Sequence, residues 1–190
     1  MPNHVITRIS TDEQTLQDVI ELVVCEDEEE GIHKGTDCFD FAKIIPMPKD
    51  IFTGALGDKE RKIYGDRNWY DWNCANWGTK WNSYDYELRE DNSIQFQTAW
   101  SHPFPIIHEL SRVFSEATFY IQYADEDIGN NCGEYSIRNG VISNKENENS
   151  REFAMSLWVY SDEDFEEENE EEDSKNRTDA RCGELTNKGE

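Results

Sequence analysis

Aromatic side chains are concentrated in one short stretch of this sequence. Four of the six tryptophans lie between positions 69 and 81, with amide, hydroxyl and ammonium side chains interspersed among them. Aromatic walls that carry a few polar groups can bind a nucleobase, a nucleotide or a peptide. We therefore predict a ligand or partner site in this Trp-rich segment, formed by Trp69, Trp72, Asn76, Trp77, Thr79, Lys80 and Trp81.

The same tryptophans have a second interpretation, as part of the hydrophobic core. Aromatic side chains bury a large area, and a buried indole N–H usually finds an acceptor. In this interpretation the segment fastens an insertion onto the rest of the domain. The sequence leaves both alternatives open. Phosphate binding has little support, because the chain has no glycine-rich phosphate loop.

A second polar group lies in "YADEDIGNNCGEY", residues 123–135. Counted from Asp125, the sixth position is Asn130 and the twelfth is Ser136, where a calcium loop needs glycine and glutamate. A looser divalent-cation site and a turn whose carboxylates accept backbone N–H groups are the remaining alternatives. We include the acidic residues of this group among the candidate partner contacts: Asp125, Glu126, Asp127 and Glu134.

Residue patterns for catalysis are absent from the sequence. The four histidines and five cysteines show no zinc spacing, no CxxC pair and no hydrolase motif. Carboxylate pairs are too numerous in so acidic a chain for any one pair to stand out. We therefore expect a non-enzymatic protein with no cofactor and no metal, and an uncharacterised enzyme remains an alternative.

The net charge of the chain is strongly negative. Its 190 residues carry 18 basic and 42 acidic side chains, a net charge of −24. Residues 1–161 alone hold 29 acidic and 14 basic side chains, a net charge of −15. Direct binding to nucleic acid or to an anionic membrane is therefore not expected, because both need basic side chains. A host protein with a basic surface is the expected partner.

The N-terminal sequence "MPNHVITRIS" has neither the basic start nor the apolar stretch of a signal peptide. Nor does any apolar run approach the roughly 18 residues of a membrane span. We therefore expect a cytoplasmic protein.

Apolar periodicity predicts the elements of the first half of the chain. Residues 4–9 are typical of a strand, residues 12–24 of an amphipathic helix, and residues 38–45 of a second strand. An insertion, residues 46–90, follows and contains a predicted helix at 69–77 that begins at an asparagine N-cap.

The second half is predicted in the same way. Residues 91–100 form a strand with Ile94, Phe96, Thr98 and Trp100 on its inner face. A helix at 103–115 and a strand at 118–123 follow. Asn139-Gly140 between apolar segments is typical of a tight hairpin turn, and a last helix extends to residue 158.

This order of elements predicts an α+β fold, a ferredoxin-like split βαβ sheet with a Trp-rich insertion and an extra C-terminal hairpin and helix. The folded domain is predicted to span residues 1–160. Residues 161–190 form an acidic tail that includes "DEDFEEENEEED". We expect this low-complexity tail to be disordered, because it has too few apolar residues to offset the entropy of an ordered chain.

Several short motifs resemble one known family. "MPNH", "IIPMP", "WYDW", "NWGTKW", "TAWSHPFPII" and "YADEDIGNNCGEY" occur in this order over residues 1–160, and together they resemble the YubB-type ferredoxin-like family of phages, prophages and plasmids. The resemblance implies the fold and an origin in a mobile element. It implies no particular reaction, and the family name refers to topology, since no cluster-binding cysteine spacing occurs here.

Charge and resemblance together give the functional hypothesis. We expect an acidic binding protein of a phage or other mobile element that inhibits a host nucleic-acid-handling or defence protein by charge mimicry. The first alternative is a small-ligand protein that binds a nucleotide-like molecule in the Trp-rich segment. The sequence does not predict an oligomeric state.

Overall fold

The computed structural model describes residues 3–23, 38–146 and 150–158. These residues belong to the first of the two units into which the chain divides, Met1–Trp158. The predicted acidic tail lies outside the described residues. None of the helices in the described ranges has the length and apolar character that a bilayer crossing requires.

One antiparallel sheet of six strands forms the centre of the domain, in the order β2-β3-β1-β4-β5-β6. Its strands are β1 (His4–Ser10), β2 (Tyr84–Leu88), β3 (Ile94–Ala99), β4 (Phe119–Asp125), β5 (Gly133–Arg138) and β6 (Val141–Glu146). The helices are α1 (Glu13–Val23), α2 (Asp58–Tyr64), α3 (Trp69–Asn76), α4 (Phe104–Val113) and α5 (Arg151–Trp158).

The predicted fold is confirmed. Strands β1 to β4 with helices α1 and α4 follow the chain order of a split βαβ unit, and their sheet order β2-β3-β1-β4 is the ferredoxin-like one. The additional hairpin β5–β6 turns at Asn139 and Gly140, whose φ angles of 46° and 76° suit a type I′ turn. Helix α5 then completes the described chain.

The hydrophobic core lies between α1, α4 and one face of the sheet. Strand residues such as Phe96, Phe119 and Ile121 are buried there against Leu16 and Leu110 from the helices. A smaller apolar cluster on the opposite face includes Ile6 and Ala124 under helix α5, with Ala154 and Leu157. Successive residues of a strand point to opposite faces, so β1 contributes to both clusters.

The predicted strand at residues 38–45 is wrong. Phe39 and Phe41 are both buried, as a strand pattern requires, but a 3₁₀ turn, Phe41–Lys43, interrupts the extended backbone. The side chain of Asp40 accepts from the N–H of Ala42 at 2.9 Å and so caps this turn. The position beside β3 is occupied instead by β2, which lies inside the predicted insertion.

The side chains just before β2 pair with the backbone of this turn. The amide oxygen of Asn82 accepts from the N–H of Phe41 at 2.9 Å, and Ser83 Oγ donates to the carbonyl of Phe39 at 2.8 Å. Side chains thus provide the hydrogen bonds that a neighbouring strand would otherwise supply. The paired residues are more than forty positions apart in the sequence. The alternation of apolar residues within 38–45 could not indicate this pairing, and it therefore predicted a strand.

Helix α3 begins and ends as its sequence predicts. The side chain of Asn68 accepts from the N–H of Asp71 at 3.0 Å, which is the geometry of an N-cap. The helix ends before Gly78, whose φ of 77° favours glycine. The Trp-rich segment therefore consists of a two-turn helix followed by a sharp change of direction.

We expect Trp77→Ala to destabilise the domain by about 3–5 kcal/mol, as for other buried aromatic side chains. Trp77 is 5% exposed and packs within the core. Trp81→Ala is the matched control, because that side chain is exposed, and its effect should stay within about 0.5 kcal/mol. Urea unfolding of both variants measures the difference. Equal losses in the two variants would contradict this assignment of core and surface.

Candidate functional site

Two tryptophans of the segment belong to the core side of the domain. The indole N–H of Trp77 donates to the carbonyl of Ile45 at 2.9 Å, and its ring meets Phe41 edge to face at 5.8 Å. Trp72 is half-buried, packs against the core and contacts the Trp77 ring edge to face at 5.5 Å. The core interpretation therefore holds for this half of the segment.

The remaining tryptophans of the segment, together with Tyr70 and Trp100, form an aromatic surface, which we define as Trp69, Tyr70, Trp81 and Trp100. Trp69 and Tyr70 are half-buried. Trp81 is 38% exposed and Trp100 is 41% exposed. Edge-to-face contacts join Trp69 to Tyr70 at 5.9 Å and Tyr70 to Trp100 at 6.0 Å between ring centroids. The indole N–H of Trp69 is occupied, because it donates to the carbonyl of Gly54 at 3.1 Å.

Two cations lie over the rings of the aromatic surface. The ammonium nitrogen of Lys80 is 4.3 Å from the Trp81 ring centroid and 5.0 Å from that of Trp100. The guanidinium carbon of Arg61 is 5.3 Å from the Tyr70 ring centroid. Cation–π contacts of this kind are favourable because the ring faces carry negative potential. The surface is therefore able to hold cations.

Hydroxyl groups attach the aromatic surface to the end of β3. The buried side chain of Thr79 donates to the carbonyl of Ala99 at 2.7 Å, and Ser101 Oγ donates to the carbonyl of Gly78 at 2.5 Å. These paired contacts hold residues 78–81 beside residues 99–101. Thr79 was predicted to contact a ligand or partner, but its side chain instead positions residues 78–81 against the end of β3. Asn76 likewise donates within its own helix, to the carbonyl of Trp72 at 2.8 Å.

The backbone at Trp100 departs from the predicted strand. Sequence alternation placed this side chain on the inner face, and this is wrong: β3 ends at Ala99 and Trp100 is exposed. Its φ of 74° lies in the left-handed region, which is rare for a bulky side chain. The Trp100 N–H donates to the carbonyl of Asn3 at 2.8 Å and holds it there. Such strain is concentrated at functional sites.

Trp100, Tyr70 and Arg61 were missed by the sequence analysis. Tyr70 lies within "WYDW" and was identifiable there as part of the aromatic segment. Arg61 lies eight positions before the segment, on helix α2, and Trp100 lies nineteen positions after it. The sequence does not show that either residue contacts the segment, because that contact depends on the tertiary fold.

The predicted acidic contacts lie elsewhere, at the end of β4 (Asp125), in the loop that follows it (Glu126 and Asp127) and on β5 (Glu134). Asp125 is buried and accepts from the side chains of Asn3 at 3.1 Å and Asn131 at 3.2 Å. Its carboxylate also accepts from the N–H of Asp127 at 3.0 Å. These contacts fit a turn closed by its carboxylate. Within the described ranges, no three His, Cys, Asp or Glu side chains come together as metal ligands.

The carboxylates of the other three acidic candidates accept hydrogen bonds from neighbouring N–H groups. Glu126 accepts from the N–H of His4 at 3.0 Å, and Asp127 accepts from the Asn130 side chain at 3.1 Å. Glu134 lies on β5 and accepts from the side chain of Gln122 at 3.0 Å. Glu126 and Asp127 are exposed, so they remain accessible to a partner.

A polar network that was not identified from the sequence lies on the face of the sheet covered by α1 and α4. His102 Nδ1 is 3.0 Å from the Thr7 hydroxyl, and its Nε2 is 2.7 Å from the Tyr135 hydroxyl. The imidazole also stacks on Tyr123 with centroids 4.7 Å apart. Burial lowers the pKa of His102 to about 3, so the ring is neutral at physiological pH. Burial also raises the pKa of Tyr135.

These groups do not form a catalytic arrangement. Both ring nitrogens of His102 are engaged by hydroxyl groups. The pKa of the exposed Cys74 thiol is raised, first by desolvation and then by the charge of Asp71, which disfavours the reactive thiolate. The chemistry best supported by the described residues is therefore binding, at the aromatic surface.

Comparisons with known proteins concern the fold. A family model described as a ferredoxin-like domain in Api92-like protein matches residues 76–178. The crystal structure of a protein api92 from Yersinia pseudotuberculosis aligns with 56% of this chain, at 18% identity and a TM-score of 0.38. The alignment spans 38% of that longer chain. No curated protein has a sequence that matches this chain.

His102 should make the domain acid-sensitive. Its pKa is about 3 in the folded state and about 6.5 when unfolded, so over this window the unfolded chain binds the additional proton. The free energy of unfolding therefore falls as the pH falls from about 6.5 toward 3, by up to about 1.4 kcal/mol per pH unit. Urea unfolding of wild type and His102→Gln at several pH values measures the effect. A stability difference that does not change with pH would contradict it.

Proposed function

The chain belongs to the family of ferredoxin-like domains in Api92-like proteins, and from this premise we propose that it is a non-enzymatic protein that binds a basic partner protein through its aromatic surface. The family description concerns a fold and specifies no reaction. The proposal therefore has to be argued from the residues themselves.

The observation that carries the proposal is the exposure of two adjacent tryptophans. Trp81 and Trp100 are 38% and 41% exposed, although each has a large apolar ring that is more stable when buried. Tryptophan and tyrosine are enriched among the residues that dominate binding energy at protein interfaces. Tyr70 joins Trp69 and Trp100, and the Lys80 ammonium links Trp100 to Trp81. A cluster of four such rings is suited to the centre of an interface.

The charge of the chain supports a basic partner. A net charge of −24 attracts basic surfaces over a range of about 10 Å at moderate ionic strength and accelerates encounter with them. The same charge repels nucleic acid. A nucleic-acid-binding protein of the host offers the complementary surface, and an acidic protein that covers it would compete with the nucleic acid.

The biological setting is part of the same proposal. The resemblance to YubB-type proteins supports an origin in a phage, a prophage or a plasmid. In this setting the protein acts in the cytoplasm of the bacterial host and inhibits a nucleic-acid-handling or defence protein by charge mimicry.

A second candidate function is the binding of a nucleotide-like small molecule. It is favoured by the two exposed rings on either side of the Lys80 ammonium, because a base can stack on indole and an ammonium can contact phosphate. Quenching of tryptophan fluorescence across a panel of nucleotides tests it. No change with any nucleotide would eliminate this candidate.

The principal test is capture of a host protein by the tagged full-length chain. Wild type, the double variant Trp81→Ala/Trp100→Ala and the control Tyr120→Ala are incubated with host lysate at low and high salt, and bound proteins are identified by mass spectrometry. Tyr120 is an exposed aromatic residue on β4 and lies outside the aromatic surface, so its variant controls for general loss of aromatic area.

We expect one partner that wild type and Tyr120→Ala retain at low salt and lose at high salt. The double variant should lose it at both salt concentrations, because a central aromatic residue typically contributes at least about 2 kcal/mol to an interface. A partner retained equally by the double variant, or equally at both salt concentrations, would contradict the proposal.

A further inference from the structure

The position of Lys80 between two exposed rings is unusual for a lysine. Its ammonium nitrogen lies 4.3 Å from the centroid of Trp81 and 5.0 Å from that of Trp100. Among the described residues, no carboxylate forms an ion pair with Lys80, although other cations do so, such as Arg67 with Asp50 and Arg138 with Glu116. The chain has 42 acidic side chains, yet the contacts of this ammonium among the described residues are with aromatic ring faces.

The rings and the ammonium differ in how firmly they are fixed. The backbone on both sides is held by Thr79 and Ser101, and the Lys80 carbonyl accepts from Asn73 at 2.9 Å. These bonds fix the main chain that carries the rings. The lysine side chain beyond Cα has four rotatable bonds, and within the described ranges its ammonium has no fixed partner except the rings. The ammonium can therefore leave while the main chain at both indoles stays in place, and the Trp100 ring also keeps its contact with Tyr70.

The space between the rings selects for positive charge. Both indole faces present negative potential to any group between them, and the net charge of −24 adds a long-range attraction for cations. A carboxylate or phosphate in the position of the Lys80 ammonium would lose its hydration without gaining a favourable contact with the ring faces. A lysine or arginine side chain would meet the same ring faces that now hold Lys80.

We propose that Lys80 is an internal placeholder, and that a lysine or arginine side chain of the partner displaces its ammonium and takes its position between Trp81 and Trp100. This inference rests on the proposed function and specifies the group that the aromatic surface recognises. The exchange replaces one cation with another, so the cation–π interaction energy at the two rings changes little. The surface also remains covered by Lys80 while no partner is bound.

The placeholder lowers the affinity for cations, because it must be displaced before another cation can bind. Removing the ammonium should therefore strengthen binding. This separates the proposal from a simple contact role, in which loss of Lys80 would weaken binding or leave it unchanged.

The test uses the full-length chain and the peptide hexalysine, titrated at constant ionic strength and followed by tryptophan fluorescence. Lys80→Ala empties the space between the rings, and Lys80→Arg keeps a cation there. Lys145→Ala is the charge-matched control, because it removes an exposed lysine from β6, on the opposite edge of the sheet from β2. The acidic tail is present in every variant, so its contribution cancels in the comparison.

We expect Lys80→Ala to bind hexalysine about two- to fivefold more tightly than Lys145→Ala, the ratio that corresponds to one exposed cation–π contact. Lys80→Arg should bind no more tightly than wild type. Hexalysine acetylated at every side chain should give no response. Equal affinities of Lys80→Ala and Lys145→Ala would overturn the placeholder role, whatever the capture experiment shows, because the peptide does not depend on a host partner.

Discussion

The burial of Trp77 is the constraint on which the candidate site depends. Its ring fills the core beside Phe41, and its indole N–H is satisfied by the carbonyl of Ile45, so the end of helix α3 is fixed against the sheet. Gly78 then turns the chain through a left-handed backbone conformation. Thr79 remains buried and bonded to the carbonyl of Ala99, whereas Trp81 reaches the surface. The burial of Trp77 and Thr79 thus fixes the main chain that leads to the exposed Trp81.

The surface that results combines two properties that are usually separate. Large aromatic rings favour contact with another molecule, whereas the negative charge of the chain disfavours nucleic acid among the ligands that aromatic rings bind. Cations satisfy both properties. The chain already places two of its own at the rings, Lys80 and Arg61, which supports the proposal that this surface binds a basic partner. The left-handed backbone of Trp100 is explained in the same way, since it aims the second ring at the first cation.

Local rules of sequence gave the correct elements at several places where the determining contacts are local, although helix α2 within the insertion was not predicted. The cap at Asn68 and the turn at Asn139-Gly140 depend on residues within three positions of one another, and both are confirmed. The strand predicted at 38–45 failed because its backbone pairs with side chains of Asn82 and Ser83. The prediction that Trp100 lies on the inner face of the strand was wrong for a similar reason. The carbonyl that fixes its backbone belongs to Asn3, which is distant in sequence. The sequence left open whether the Trp-rich segment belongs to the core or to a binding surface, and its division between the two depends on the tertiary fold.

The most direct test of this account is the indole N–H region of the proton–nitrogen NMR spectrum, recorded on the full-length chain before and after addition of the partner recovered at low salt. Single Trp→Phe variants assign the six indole signals. The account predicts that the signals of Trp81 and Trp100 shift on binding, while the signal of Trp77, whose N–H is hydrogen-bonded within the core, stays in place. A bound partner that leaves the Trp81 and Trp100 signals unchanged would contradict it.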